Sequence, residues 1–122
     1  MQKYLIAALF LMTSLCLHAE DMARGNAIFQ QLIKAQMARD YDAFVADGTL
    51  ELKAALSKSQ FDASSELMTK RCAVGYDLTP LGELKQKGYE IYLYRLRFKD
   101  GSDDMLGTLT LKDGKVAGIY FK

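Results

Sequence analysis

Hydrophobic residues recur at helical spacing in the first half of the chain and alternate with polar residues in the second half. The helical pattern is clearest in residues 21–40, where one face carries Met22, Phe29, Leu32, Ile33 and Met37. This spacing predicts an amphipathic helix that packs on a core.

After this amphipathic helix, the residues at segment ends predict two short helices. Residues 41–48 have an apolar face and close on Gly48, which can adopt the left-handed conformation that ends a helix. Thr49 has the side chain of an N-cap and precedes a second apolar segment, residues 50–56. A further helix is predicted over 57–71, because its first and fourth residues, Ser and Gln, have capping-box spacing.

The second half predicts four strands, at about 77–86, 89–98, 105–111 and 116–121. Lys-Gly and Asp-Gly pairs separate them, and such pairs are typical of tight hairpin turns. Pro80 lies in the first of these strands, which indicates an edge strand because proline cannot donate to a neighbour.

If the two Asp-Gly pairs form two-residue turns, they set the register of the last three strands. The predicted pairs are then Leu96–Met105, Tyr94–Gly107, Tyr92–Leu109, Leu111–Val116, Leu109–Gly118 and Gly107–Tyr120. One face would carry Tyr92, Tyr94, Leu96, Phe98, Met105, Leu109, Leu111, Val116 and Tyr120. The other face is also apolar, so helices can cover one face while a partner chain, a ligand or a loop covers the other. The predicted fold class is α+β, with N-terminal helices packed on a curved four-stranded antiparallel meander.

Residues 1–19 have the pattern of a secretory signal peptide. Lys3 precedes an uncharged run that ends at Leu17, shorter than the ~20 residues of a membrane-spanning helix. Ala19 is the small residue expected before the cut. The domain predicted to remain is a single unit over 20–122, in the periplasm or secreted.

Two alternatives to a cleaved signal peptide are open. Cys16 is where a lipoprotein would be modified, although Leu15 is bulkier than the small residue that such signals place before the cysteine. The segment could also stay uncleaved as an anchor. Beyond this segment, the sequence predicts no interaction with membranes.

Composition narrows the chemistry of residues 20–122. The whole chain has 16 basic and 15 acidic residues without a basic block, which disfavours nucleic-acid binding. The single histidine, His18, lies in the predicted signal peptide, and Cys72 is the one cysteine after it. An internal disulfide, a His/Cys zinc site and a Ser-His-Asp or Cys-His mechanism are therefore not expected. We predict no metal, no cofactor and no catalytic residue, and a non-enzymatic role is favoured.

One set of strand residues has the composition of a ligand pocket. Its members are Tyr92, Tyr94, Met105, Gly107, Gly118 and Tyr120. The glycines would leave room for a small apolar ligand, and Asp77 or Glu83 would add a carboxylate if the site were catalytic. The alternative, which we favour over catalysis, is that these tyrosines pack in a core or a dimer interface.

Three other patterns have structural explanations that we prefer. Cys72 follows two basic residues, which favour a thiolate, yet it also suits a buried position between helix and strand. Arg97 opposes Asp104 in the predicted register, as in a cross-strand ion pair. The acids of the segment 100–104 resemble a calcium loop that lacks its later glutamate, so a solvated turn is expected.

Two segments carry a resemblance to known proteins. "ARDYDAFVADGTLELKAALSKSQF" (38–61) and "DGKVAGIYF" (113–121) resemble a secreted bacterial domain family of unknown function within the cystatin-like, or nuclear-transport-factor-two-like, superfamily. The resemblance implies a cone-shaped α+β fold and export, without catalytic residues. Members of that family usually have a tryptophan in the third helix, and this chain has none.

Three roles follow from these patterns. The first is an exported binding module that forms a homodimer through a sheet face. The second is a protein with a small-molecule pocket, with lyase or isomerase activity as its catalytic form. The third is an accessory or inhibitor module for another envelope protein.

The signal peptide gives the first testable prediction. Protein expressed from the full sequence in a Gram-negative host should be recovered from the periplasm with the mass of residues 20–122, measured by mass spectrometry. Ala19→Arg should block this processing, because cleavage requires a small residue there. A lipid-modified product that begins at Cys16 would instead establish the lipoprotein alternative, and a full-length cytoplasmic product would contradict export.

Overall fold

The structure is a computed structural model that describes residues 2–122, with side chains described from Glu20 onward. Its elements in chain order are α1 (Gln2–Met37), α2 (Tyr41–Val45), α3 (Leu50–Ala55), α4 (Lys58–Cys72), β1 (Tyr76–Gln86), β2 (Tyr89–Phe98), β3 (Met105–Lys112) and β4 (Lys115–Phe121). The strands form one antiparallel sheet in the order β1-β2-β3-β4. The predicted α+β fold of helices followed by a four-stranded meander is confirmed.

Helix α1 is longer than the helix predicted over 21–40. It includes most of the segment predicted as a signal peptide, because no glycine or proline interrupts residues 2–20. Whether this segment is removed remains a prediction. Within the part of the chain that the structure describes, no helix is both long and apolar enough to cross a membrane.

The capping predictions for α3 and α4 are confirmed. Thr49 Oγ1 accepts a hydrogen bond from Leu52 N at 3.1 Å at the start of α3. At the start of α4, Ser57 Oγ accepts from Gln60 N at 3.1 Å, and the Gln60 side chain accepts from Ser57 N at 3.0 Å. These bonds satisfy amide groups that the first turn of a helix leaves unpaired.

The predicted left-handed stop at Gly48 is wrong. Helix α2 ends at Ala46 in right-handed conformation, and Gly48 does not have a positive φ. Gly48 instead forms a parallel bridge to Val116, where Val116 N donates to Asp47 O at 2.8 Å and Thr49 N donates to Val116 O at 2.9 Å. The chain between α2 and α3 therefore follows β4, and this tertiary pairing decides the backbone conformation.

The core lies between the helices and one face of the sheet. Phe29 of α1 stacks on Tyr94 of β2 with ring centroids 4.2 Å apart, and Phe61 of α4 packs against Phe44 of α2 at 5.0 Å. Tyr94, Leu96 and Leu109 are fully buried beneath these helices. The helices thus cover the sheet face that was predicted to carry the tyrosines.

The predicted pairing of β2 with β3 is confirmed. Leu96 pairs with Met105, Tyr94 with Gly107 and Tyr92 with Leu109. The expected ion pair also forms, with Arg97 Nε 3.7 Å from Asp104 Oδ1. Strand β1 lies at the edge of the sheet, as Pro80 indicated, and a register shift occurs between Pro80 and Gly82.

The predicted pairing of β3 with β4 is correct only next to the turn. Leu111 pairs with Val116, but Thr110 then pairs with Gly118, so Ala117 is an extra residue in β4. This bulge moves the rest of β4 by one position, and such a shift exchanges the two faces of a strand.

Two predicted pairs change because of the bulge. Gly107 pairs with Phe121 instead of Tyr120, and Leu109 pairs with Ile119 instead of Gly118. Tyr120 is consequently not on the helix-covered face and is 68% exposed.

Gly107 generates a prediction about stability. A methyl group at this position would overlap the Phe29 ring, which lies directly over the glycine. Gly107→Ala should therefore lower the free energy of unfolding by about 1–3 kcal/mol, measured by urea denaturation. Thr108→Ala, at the next residue on the opposite face, is the matched control and should change it by less. Equal urea midpoints for Gly107→Ala and Thr108→Ala would show that the packing of Phe29 does not require the missing side chain at Gly107.

Candidate ligand-binding cavity

A cavity of about 390 Å³ lies between the helices and the ends of β3 and β4. Its volume is in the range of pockets that bind small molecules. Its lining is largely apolar and consists of Gln36, Phe44, Leu52, Ala55, Leu56, Phe61, Ser64, Leu67, Met68, Met105, Gly118, Ile119, Tyr120 and Phe121.

Helix α3 forms one wall, and hydrogen bonds at both ends position it. At its start, Thr49 caps the helix and also donates from its backbone to β4. Beyond its end, the carbonyl of Leu56 accepts a hydrogen bond from the Tyr41 hydroxyl at 2.7 Å. Leu52 and Ala55 are thereby held against the cavity although α3 is only six residues long.

Helix α4 forms the opposite wall. Phe61, Ser64 and Met68 lie three and four positions apart, so they share one face of the helix. Leu67 belongs to the same wall but is 61% exposed, which places it at the mouth of the cavity together with Tyr120.

Strand β4 completes the lining through its bulge. Ile119 and Phe121 face the cavity because Ala117 shifts the strand by one residue. The ring of Tyr120 lies back along the strand over Gly118, where an added Cβ would be only 2.9 Å from a ring carbon. Gly118 therefore makes room for the side chain of Tyr120 at the rim.

Two polar side chains, one from α1 and one from α4, are part of the described lining. Gln36 Nε2 donates to Ser64 Oγ at 2.9 Å. Gln36 is 3% exposed, and its Oε1 is buried without a hydrogen-bond partner among the described residues. Neither residue was among the predicted site residues. The sequence did carry a signal, since Gln36 continues the apolar face of α1 at helical spacing from Leu32 and Ile33.

The structure divides the predicted pocket residues into two groups. Met105, Gly118 and Tyr120 line the cavity. Tyr92, Tyr94 and Gly107 lie beneath α1, where an added Cβ on Gly25 would be 3.0 Å from both tyrosine side chains. In this second group, Gly107 makes room for Phe29 of the protein itself.

One carboxylate does meet a tyrosine, but not at the cavity. The Tyr92 hydroxyl donates to Glu90 Oε2 at 2.8 Å, and Arg24 Nη2 lies 3.5 Å from the same oxygen. Burial and the neighbouring Glu90 carboxylate raise the pKa of Tyr92 above its ordinary value. The tyrosine therefore stays protonated and donates a hydrogen bond to Glu90 within β2, while Arg24 connects this pair to α1.

The two acids considered for a catalytic role are not at the cavity either. Asp77 is exposed on β1 opposite Arg97, and Glu83 lies on β1 opposite Tyr92. Among the described side chains, no carboxylate, histidine, lysine or arginine lines the cavity. Its walls provide an apolar surface, and the phenol of Tyr120 at the mouth is the titratable group of the described lining.

The surroundings of Cys72 and of the segment 100–104 indicate structural roles for both. Cys72 is buried, and burial raises the pKa of its thiol despite the nearby Arg71, so a reactive thiolate is disfavoured. Asp100 Oδ1 accepts from Ser102 N at 3.0 Å and from Ser102 Oγ at 2.6 Å, bonds that lower the pKa of this carboxyl. Asp100 thus stabilises the turn.

The buried hydroxyl of Tyr94 gives a prediction about pH. It has no hydrogen-bond partner among residues 20–122, and burial raises the pKa of Tyr94 from 10.0 to about 12. The folded state holds this proton more tightly than the unfolded chain, so the stability it contributes is complete below pH 10 and is lost as pH rises towards 12. Tyr94→Phe should weaken this alkaline loss, measured by urea unfolding across that interval.

At neutral pH, Tyr94→Phe should leave the free energy of unfolding unchanged or raise it by up to about 1 kcal/mol, because it removes an unpaired buried group. Tyr120→Phe is the control, since that hydroxyl belongs to an exposed side chain. A large loss of stability in Tyr94→Phe at neutral pH would show that the hydroxyl has a partner.

Comparison with known proteins reveals likeness in fold. No model of a protein family matches the chain, and no curated protein matches it. A Sinorhizobium meliloti protein named for polyketide cyclases is 17% identical with a TM-score of 0.46, and the match covers 79% of this chain and 94% of that chain.

Two further solved structures are similar. A cystatin-fold protein from Novosphingobium aromaticivorans is 14% identical with a TM-score of 0.40, over 79% of this chain and 95% of that chain. An NTF2-like protein from Cytophaga hutchinsonii is 11% identical with a TM-score of 0.39, over 78% and 87%. These neighbours are cystatin-fold and NTF2-like proteins, the superfamily that the sequence resemblance named, and the likeness concerns the fold alone.

Proposed function

We propose that this protein binds a small apolar molecule in the cavity between α3, α4 and β4, and releases it chemically unchanged. The observation that carries this proposal is the lining itself: about 390 Å³ of space enclosed mainly by aliphatic and aromatic side chains. Burying apolar ligand surface there gains about 25 cal/mol per Å², the main driving force for binding in such sites.

The described lining has no carboxylate, histidine, lysine or arginine, which favours binding over catalysis. A lyase or isomerase would need a proton acceptor within hydrogen-bond reach of the bound molecule. Here the nearest approach to such a pair, Tyr92 with Glu90, lies beneath α1 and is engaged with Arg24. Residues 1–19 support action outside the cytoplasm, as part of the same proposal.

A pair of alanines in α3 provides a direct test. Both alanines are exposed, but Ala55 lines the cavity and the neighbouring Ala54 does not. Ala55→Trp should fill the cavity and weaken binding of the neutral fluorescent probe N-phenyl-1-naphthylamine by roughly tenfold or more, a loss of about 1.4 kcal/mol per tenfold. Ala54→Trp should bind as the unaltered protein does. Equal binding by both variants, or no binding by the unaltered protein, would reject the cavity as the site.

A second proposal concerns the other face of the sheet. No described helix covers this face, which carries Ile91, Leu93 and Leu106 around the paired strands β2 and β3. Leu106 is 40% exposed. We propose that a second copy of the chain packs on these apolar residues, because uncovered apolar side chains on a sheet face mark interaction sites, with Arg95, Thr108 and Thr110 as their polar neighbours. Tyr94 and Leu109 lie on the helix-covered face, so changes there would test the core rather than a dimer.

Leu106→Glu should abolish self-association, because a charge in an apolar interface loses hydration without gaining a partner. Sedimentation velocity measures the result. Leu50→Glu is the matched control, since Leu50 is 80% exposed and lies on α3, away from the sheet face. A monomeric unaltered protein would rule out the dimer at once, and dissociation by both variants would show that the effect is not specific to the face.

A further inference from the structure

We propose that the ligand of the cavity is a neutral apolar molecule with a hydroxyl group, an alcohol or a phenol, which Gln36 and Ser64 bind by hydrogen bonds. This inference rests on the proposed function, because it specifies the chemistry of the molecule that the same cavity holds.

Gln36 is polar, almost completely buried and part of the cavity wall. One end of its amide is satisfied, because Nε2 donates to Ser64 Oγ at 2.9 Å. The other end, Oε1, has no partner among the described residues. A buried carbonyl oxygen without a donor is unfavourable, so the site lacks one hydrogen-bond partner that the chain does not supply.

The missing partner is best supplied by a hydroxyl group. A ligand hydroxyl donates to Oε1 once a rotation of the terminal torsion brings this buried oxygen to the cavity surface. If the amide is turned over, the Ser64 hydroxyl donates to Oε1 and the ligand hydroxyl accepts from Nε2. A hydroxyl serves both arrangements because it donates and accepts, and the broad terminal torsion of glutamine lets the amide adjust.

Ser64 adds a second contact at the same place. Its Oγ already accepts from Gln36, so its own hydroxyl hydrogen is available to an acceptor. Ser64 lies on the exposed side of α4 and lines the cavity, where a ligand can reach it. The two side chains together therefore present both a donor and an acceptor to one small polar group.

The rest of the lining indicates that the ligand is neutral. None of the charged side chains from residue 20 onward lines the cavity. A carboxylate or an amine would lose its hydration there without an opposite charge to compensate. Phe61, Phe121 and Met105 instead provide aromatic and thioether surfaces that suit an aromatic or alicyclic body.

Three probes of one shape test this inference: 2-naphthol, 2-methylnaphthalene and 2-naphthoate. The protein has no tryptophan, so naphthalene fluorescence can be followed directly, with isothermal titration as the second measurement. The unaltered protein should bind 2-naphthol roughly tenfold more tightly than 2-methylnaphthalene, equivalent to about 1.4 kcal/mol. It should bind the charged 2-naphthoate more weakly than 2-naphthol.

The decisive measurement is the ratio of the first two dissociation constants in variants. Gln36→Met keeps the length of the side chain and removes both polar ends, so the preference for 2-naphthol should disappear. Ser64→Ala should reduce it. Gln30→Met, at an exposed position of α1 outside the cavity, is the matched control and should keep the full preference. Should Gln36→Met fail to fold, Ser64→Ala at its exposed position decides the outcome.

The outcomes separate the two proposals. If neither naphthalene probe binds the unaltered protein, the proposed function and this inference both fail. If both bind equally, or if the preference survives in Gln36→Met and Ser64→Ala, only this inference is overturned and the polar pair is structural. Tightest binding of 2-naphthoate would overturn the neutral ligand while leaving binding in the cavity intact.

Discussion

The contact of Phe29 with the sheet is the interaction on which the rest of the structure depends. Its ring stacks on Tyr94 and fills the space that Gly107 leaves by lacking a side chain. A close approach of Gly25 to Tyr92 and Tyr94 brings the same helix down on the same strand. Helix α1 is therefore seated on β2 and β3 through two glycines, one on each partner. Removing an aromatic side chain from such a contact typically costs about 3–5 kcal/mol, a large part of the stability of a small domain.

This seating determines where the cavity can form. Because α1 fills the sheet over Tyr92, Tyr94 and Gly107, open space remains only towards β4, where α3 and α4 form the walls. The hydrogen bonds between residues 47–49 and Val116 attach α3 to β4, and the Tyr41 hydroxyl holds the far end of α3. The elements that bound the cavity are thus held together by hydrogen bonds to backbone groups. Its interior is lined mainly by apolar side chains and includes the Gln36 amide.

Two tyrosines on the helix-covered side are buried, and burial raises the pKa of both Tyr92 and Tyr94. Groups that resist ionisation serve packing and hydrogen bonding better than proton transfer. The polarity that does reach the cavity is neutral and belongs to Gln36 and Ser64, which can confer selectivity by leaving a polar group unpaired when the wrong molecule binds.

Local sequence patterns determined the types of the secondary-structure elements and the starts of two helices. The helical and alternating periods predicted the element types, and the capping signals at Thr49 and Ser57 predicted helix starts, because these features depend on neighbours along the chain. The β2–β3 register could also be predicted from the sequence, since hydrophobic alternation fixes which residues can face each other. The six predicted pocket residues came from one alternation pattern, which treats a face as uniform and does not show which part of it a helix will fill.

Only the tertiary structure decided what lies beside each of those residues. The bulge at Ala117 lies next to the pairing of residues 47–49 with Val116, a contact between distant segments that leaves no local pattern in β4. That bulge moved Tyr120 to the rim and brought Ile119 and Phe121 into the cavity. The role of Gln36 was also decided by the tertiary structure. The sequence by itself determined that a polar residue interrupts an apolar helix face, whereas the packing of α1 against α4 decided that half of its amide would be bonded and half left unpaired.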